Sequence, residues 1–286
     1  MLQTEVRPAT LYVVATPIGN LRDITLRALD ILANVDCVIA EDTRNTSTML
    51  QHHGINAKLL SLHQHNERER SEQIVERLAA GQSLALVSDA GTPGISDPGA
   101  ILVDSVRRAG YKIVPIPGAS ALATALSASG MQSIPFMFHG FLPVKSAARK
   151  KFLESLLEQS GTLIFYEAPH RVMECVEDLT TVFGETRDVV IARELTKLFE
   201  SIHHCKLGEA AAWLAADSNR LKGEFVLIVD GAAPDGDAID AELERVVRIL
   251  LAEELPMKQI AKLGAAITGA SKNDAYELAL SLKNSQ

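Results

Sequence analysis

The stretch S-D-A-G-T-P-G-I-S-D-P-G, Ser88 to Gly99, follows the apolar run Leu84 to Val87 and sets the reading of the whole chain. Its three glycines and two prolines in twelve residues exceed what a change of direction requires. Glycine exposes backbone amides and removes the Cβ atoms that keep a ligand away, while proline stiffens the rest. In a parallel α/β sheet, ligands sit in such loops at the carboxyl ends of the strands. Asp89 and Asp97 add charge to the loop. A merely rigid turn is the competing reading, but long ordered loops in compact domains are usually functional.

The residues on either side support a parallel sheet. Leu11 to Ala15, Cys37 to Ala40, Leu59 to Leu62, Leu84 to Val87 and Lys112 to Ile116 are short apolar runs of the kind that form strands buried on both faces. Between the first two, Asn20 can cap a helix whose apolar face carries Leu21, Ile24, Ala28, Ile31 and Val35, with Asp23 in its first turn. Further helices are predicted at 44–52, 67–80 and 98–109. Strand and helix alternating in this way imply crossover connections in one direction.

After Pro115 and Pro117 the alternation restarts. A helix is expected from Ser120, a strand at Phe136 to Phe141, a helix from Ser146, and strands at Leu163 to Tyr166, Asp188 to Ala192, Ser201 to Cys205 and Phe225 to Val229, with helices near 170–182 and 208–216. The expected division is 1–117, an α/β domain with a parallel sheet, and 118–232, a second α/β domain with a mixed sheet. Gly231 to Asp237 reads as a linker. Beyond it, residues 238–286 carry an amphipathic helix with Ile239, Leu243, Val246, Val247 and Leu250 on one stripe, a stop at Pro256, and two short helices around Thr268 to Ser271. This outlines a helix-turn-helix module.

Composition narrows the function classes. A chain of 286 residues accommodates two domains and an appendage. No apolar run of about eighteen residues occurs, and the amino-terminal residues lack a secretory pattern, so a cytoplasmic protein without membrane contact is expected. Cys37, Cys175 and Cys205 are too few and too scattered for a disulfide framework or a zinc cluster. The net charge of -8 opposes indiscriminate nucleic-acid binding, so any such contact rests on local basic patches.

The loop after the first strand, Thr16 to Asn20, lacks the G-x-G-x-x-G of a dinucleotide site. Glu41 and Asp42, at the end of the second strand, stand where a Rossmann fold holds a ribose and keep that fold as an alternative. Seven ordered motifs point elsewhere: T-P-I-G-N (Thr16 to Asn20), E-D-T-R (Glu41 to Arg44), S-L-H-Q-H-N-E (Ser61 to Glu67), the Ser88 to Gly99 loop, P-G-A-S-A (Pro117 to Ala121), Y-E-A-P-H-R (Tyr166 to Arg171) and G-E-F-V (Gly223 to Val226). Together they resemble the tetrapyrrole (corrin/porphyrin) methylase superfamily, in particular its branch acting on bacterial small-subunit ribosomal RNA. The resemblance runs from about residue 10 to the carboxyl terminus.

The resemblance implies a class III methyltransferase fold with S-adenosylmethionine held in a cleft between two α/β domains. Carried over by position, Ile18, Asp89, Ala90, Gly91, Thr92, Ser120, Ala121, Tyr166, Ala192 and Phe225 would line that cofactor. It further implies 2′-O-methylation of cytidine 1402 in 16S ribosomal RNA, with the RNA or the small ribosomal subunit as partner, and a homodimer. No resident metal is implied.

A ribose hydroxyl is a weak nucleophile, so a base or an alkoxide-stabilising cation is expected beside the cofactor. Glu167 and His170 are candidate bases with Arg171 beside them, and Lys197 in A-R-E-L-T-K is the alternative. Arg44, with Glu41 and Asp42, can orient a ribose or phosphate. Each competes with a structural ion pair. His63 and His65 read as RNA contacts or packed side chains rather than metal ligands. Lys145, Arg149, Lys150 and Lys151 form a basic run, and Lys258, Lys262 and Lys272 mark the carboxy-terminal module; both are candidate RNA-binding patches, against a solvated helix face. Two other functions fit less well. A methylase of a small tetrapyrrole needs neither patch, and a ligand-responsive DNA-binding regulator would need more cations in its reader.

Overall fold

The computed structural model describes residues 5–63, 66–132, 135–232, 236–253 and 255–284. Strands β1 (Thr10–Val14), β2 (Cys37–Ala40), β3 (Leu59–Ser61), β4 (Leu84–Val87) and β5 (Lys112–Ile116) form a sheet of order β3-β2-β4-β1-β5, parallel throughout. Side chains alternate along a strand, and both faces are covered. Tyr12, Val14, Val38, Ala40, Ala85 and Val87 pack with α1 (Leu26–Asn34) and α2 (Thr43–His52). Leu11, Cys37, Ile39, Leu84 and Leu86 pack with α3 (Glu67–Ala79) and α4 (Ala100–Arg108) on the other face. This is why the strands read as unbroken apolar runs.

The first helix departs from the sequence expectation. Asn20 accepts the Arg22 amide at 3.1 Å and starts only a 3-10 turn, Leu21–Asp23. The α-helix begins after Thr25, whose hydroxyl caps the Ala28 amide at 3.1 Å, and it buries Ala28, Ile31 and Leu32. Two competing caps lie five residues apart, and the later one wins because it puts those three apolar residues against the sheet.

The second sheet has the order β6-β7-β10-β8-β9 and is mixed: β6 (Phe136–Phe141) runs parallel to β7 (Thr162–Glu167), and the pairs β7 with β10 (Phe225–Val229), β10 with β8 (Asp188–Arg193), and β8 with β9 (Ser201–Lys206) are antiparallel. One face packs on α6 (Ser146–Glu154), α7 (Val172–Phe183) and α8 (Leu207–Ala215) through Leu163, Phe165, Val189, Ile191 and Leu227. The other face, carrying Ile164, Val190, Ala192, Val226 and Ile228, packs on α5 (Ala121–Ser129) and on Ile18 from the loop after β1.

The two sheets lie in one compact unit, and Gly231–Gln286, together with Glu158–Ser160, belong to another. In the latter, α9 (Gly236–Ala252), α10 (Met257–Thr268) and α11 (Lys272–Asn284) enclose a core of Leu243, Val247, Ile260, Ala261, Ala275 and Ala279. Gly269 ends α10 in the left-handed conformation with φ 78°, and Ser271 Oγ accepts the Asp274 amide at 3.1 Å as the last helix starts. Lys258, Lys262 and Lys272 are exposed on this unit. No described helix is long and apolar enough to cross a membrane.

Candidate active site

The Ser88 to Gly99 loop is tied at both ends. Thr16 and Gly91 exchange two backbone hydrogen bonds, of 2.8 and 3.0 Å, which join it to the loop after β1; Gly91 has φ 81°, a conformation that favours glycine. Thr92 Oγ1 donates to the Ala119 carbonyl at 3.2 Å, joining it to the loop after β5. At its far end the buried Glu67 carboxylate accepts the amides of Gly99, Ile101 and Leu102 at 2.8, 3.0 and 3.2 Å, capping α4 from outside the helix. Ser96 packs on Gly140, where β6 bulges and φ is 67°; a Cβ there would lie 2.9 Å from Ser96 Oγ.

These constraints leave a cavity of about 310 Å³, within the usual range of small-molecule sites. Ile18, Ala90, Gly91, Thr92, Ser120, Ala121, Tyr166 and Phe225, positions the motifs mark for a cofactor, line it. Asp89 and Ala192 do not. The Asp89 carboxylate points toward α2 and accepts the Asp42 amide at 3.0 Å and Asn45 Nδ2 at 2.9 Å, and Ala192 is buried within the sheet. The motifs also leave Asp97, Phe141, Leu195 and Glu224 unplaced, although all four line the cavity. Asp97 and Glu224 sit inside the quoted motifs and were readable as polar residues there; Leu195 lies in the quoted A-R-E-L-T-K segment but, like Phe141, is an apolar residue that carried no signature of its own.

Register explains the far wall, where β10 brings Phe225 opposite Glu167 and Val226 opposite Tyr166. Tyr166 packs edge-on against Phe138 and Phe141, with ring centroids 4.8 and 5.7 Å away, and its hydroxyl accepts the Leu122 amide at 3.0 Å. Burial pushes the Tyr166 hydroxyl above its ordinary range.

The catalytic candidates fall in different settings. Glu167 has no exposed side-chain surface; Oε1 accepts the Ala168 amide at 2.8 Å and Oε2 lies 3.2 Å from the Arg171 guanidinium, which also donates to the Leu142 carbonyl at 2.6 Å. His170 is exposed and absent from the cavity wall. Lys197 Nζ lies 2.8 Å from both Glu194 Oε1 and Glu224 Oε2. Burial pulls its pKa down, but these two carboxylates outweigh it and raise it, so Lys197 is a cation rather than a base. Arg44 is exposed and chelates Asp42, whose carboxyl its hydrogen bonds hold at about 2.

Among the basic candidates, Arg149 is a correction. It is fully buried, 2.6 Å from Asp178 Oδ2, and donates toward the Val144 carbonyl at 3.3 Å, so it pins α6 to α7 and offers nothing to RNA. The basic run is helical, and the position that faces inward is occupied by a paired charge. Lys145 and Lys151 are exposed and Lys150 is half-buried. His63 hydrogen-bonds Asn66 through its backbone amide and ring, and His65 lies outside the described residues.

The architecture has clear counterparts. Residues 10–211 match the family described as Tetrapyrrole (Corrin/Porphyrin) Methylases, and residues 237–283 match the RsmI C-terminal HTH domain. The uroporphyrin-III-C-methyltransferase of Thermus thermophilus shares the fold at TM-score 0.56 with 16% identity over 78% of this chain and 94% of that one. The methyltransferase CobJ shares it at TM-score 0.58 with 20% identity over 78% and 94%. The family match, with the shared fold, places the chain in the tetrapyrrole methylase class of methyltransferases.

Three proteins named ribosomal RNA small subunit methyltransferase I are much nearer in sequence. That of Escherichia coli O157:H7 is 51% identical over 94% of both chains, that of Xylella fastidiosa 52% over 94% of this chain and 98% of the other, and that of Pseudomonas aeruginosa 51% over 95% and 96%. The chain belongs to the ribosomal RNA small subunit methyltransferase I family.

Proposed function

We propose that this protein transfers the methyl group of S-adenosylmethionine to the ribose 2′-hydroxyl of cytidine 1402 in 16S ribosomal RNA, acting in the cytoplasm as a homodimer. The observation that carries the reading is an identity of about half across nearly the whole chain to relatives named for this RNA.

The wall chemistry fits S-adenosylmethionine. Ile18, Leu195, Phe225 and Val226 offer apolar surface for an adenine and a methylene chain, and Ala90 and Gly91 leave backbone accessible. When bound, the cofactor supplies an electrophilic methyl group.

The protein's own part is to orient and to neutralise. The pinned loops hold the cavity in one shape, which favours an in-line approach. Lys197, held by two carboxylates of which Glu224 is on the wall, provides a cation for the forming alkoxide. Glu167 and Arg171 brace the β7 exit, and His170 and Arg44 are surface groups available to the RNA. Lys145, Lys150 and Lys151, and separately Lys258, Lys262 and Lys272, contact phosphates.

Incubation with methyl-tritiated S-adenosylmethionine and small ribosomal subunits tests the reading. The expected result is label in 16S RNA, lost when cytidine 1402 is supplied already 2′-O-methylated. Label in uroporphyrinogen or a precorrin with none in RNA overturns it.

A further inference from the structure

The side chains on the cavity wall able to take a proton, among the described residues, are Asp97, Tyr166, Glu167 and Glu224. Tyr166 is held in its protonated form by burial, with its oxygen already accepting the Leu122 amide. Glu167 is enclosed, with one oxygen on the Ala168 amide and the other against Arg171. Glu224 is neutralised by Lys197 at 2.8 Å. Asp97 differs from all three: among the described residues it enters no ion pair, and the hydroxyl that lowers its pKa, Ser88, is itself directed at the Ala90 and Gly91 carbonyls.

We propose that Asp97 is the general base of the methyl transfer, taking the proton of the ribose 2′-hydroxyl. The inference rests on the substrate proposed above. In the balanced step the hydroxyl oxygen forms a bond to the methyl carbon while the carbon–sulfur bond breaks, and its electron pair remains on sulfur. The proton passes to the Asp97 carboxylate and then to solvent.

The position suits the task. The loop that carries Asp97 is fixed by the Thr16–Gly91 bridge on one side and by Glu67 at Gly99 on the other, so the carboxylate is placed before substrate arrives. The titratable groups near enough to act on it electrostatically are Asp89 from the same loop, Glu41 from the end of β2 and Tyr166 from β7, none of them cationic. Burial, and then the Asp89 charge, raise the Asp97 carboxyl above the ordinary carboxylate range, while Ser88 opposes the shift. A base so raised is stronger at neutral pH and is lost as pH falls through its folded value.

The test uses Asp97→Asn and Asp97→Glu in the full chain, with S-adenosylmethionine binding measured by calorimetry and single-turnover methylation of saturating small subunits measured across pH 5 to 9. Asp97→Asn is expected to bind S-adenosylmethionine within about threefold of wild type while its rate falls by about 10²–10⁴-fold. The acid limb of the wild-type pH profile should vanish with it, and Asp97→Glu should restore part of the rate with a limb. Weakened cofactor binding with an unchanged rate at saturation overturns the proposal and makes Asp97 a cofactor contact; a reduced rate that keeps the wild-type acid limb overturns it as well. A wild-type chain that labels no RNA instead defeats the substrate assignment, and this role falls with it.

Discussion

Glu67 shows how much one side chain can decide. The first turn of α4 has amides with no partner inside the helix, and Gly99 at its start has no side chain to cap them. A carboxylate from α3, remote in sequence, accepts three of these amides and is only 5% exposed, so it also sets where the cavity loop ends. Hydrogen bonds to a charged acceptor are worth more than neutral ones. Glu67→Ala is expected to lower stability by about 2–4 kcal/mol, read from the urea midpoint at constant m, with Glu67→Gln intermediate. A loss no greater than that of an exposed α3 glutamate such as Glu72 would contradict this assignment.

Pairs of elements raise the question of buried charge. Helices α6 and α7 are joined by Arg149 and Asp178, with Ser146 and Lys150 also hydrogen-bonded or ion-paired to the carboxylate. Burial pulls the Asp178 carboxyl up, but the bonds from Arg149, Ser146 and Lys150 outweigh it and hold it below the usual carboxylate range. Its folded value is therefore below its unfolded one, so the stabilisation is complete above the unfolded value and is lost as pH falls through the folded one. Arg149→Met leaves Asp178 without its main partner and is expected to cost about 3–5 kcal/mol. In thermal denaturation the deficit should be largest near neutral pH and shrink below pH 4. RNA affinity of the folded variant should be unchanged, because Arg149 is not a surface residue.

At the scale of the whole molecule, a net charge of -8 must coexist with binding to a polyanion. Local patches resolve this if they, and not the overall field, make the phosphate contacts. Lys258 and Lys262 are four residues apart on α10, and Lys272 opens α11; all three are exposed on the carboxy-terminal unit. Replacing them by alanine is expected to flatten the dependence of log K on log salt by about 2–3 for small-subunit RNA, with cofactor binding unaltered. An unchanged slope in filter binding between 50 and 200 mM salt would remove this unit from the RNA contact.

Much of this protein was determined by sequence alone. Short unbroken apolar runs specify the parallel sheet because both faces of each strand must be covered, and the glycine and proline content of Ser88 to Gly99 predicts a loop whose backbone no side chain obstructs. Eight of the ten cofactor positions read from the motifs line one cavity. Tertiary structure alone decided which charges are free. Arg149 looks like its neighbours in sequence, yet helical phase turns it inward onto Asp178. Asp89 and Asp97 share one loop, but Asp89 is occupied by α2 while Asp97 faces the cavity. Partnership across the fold depends on segments far apart in the chain, which local pattern does not encode.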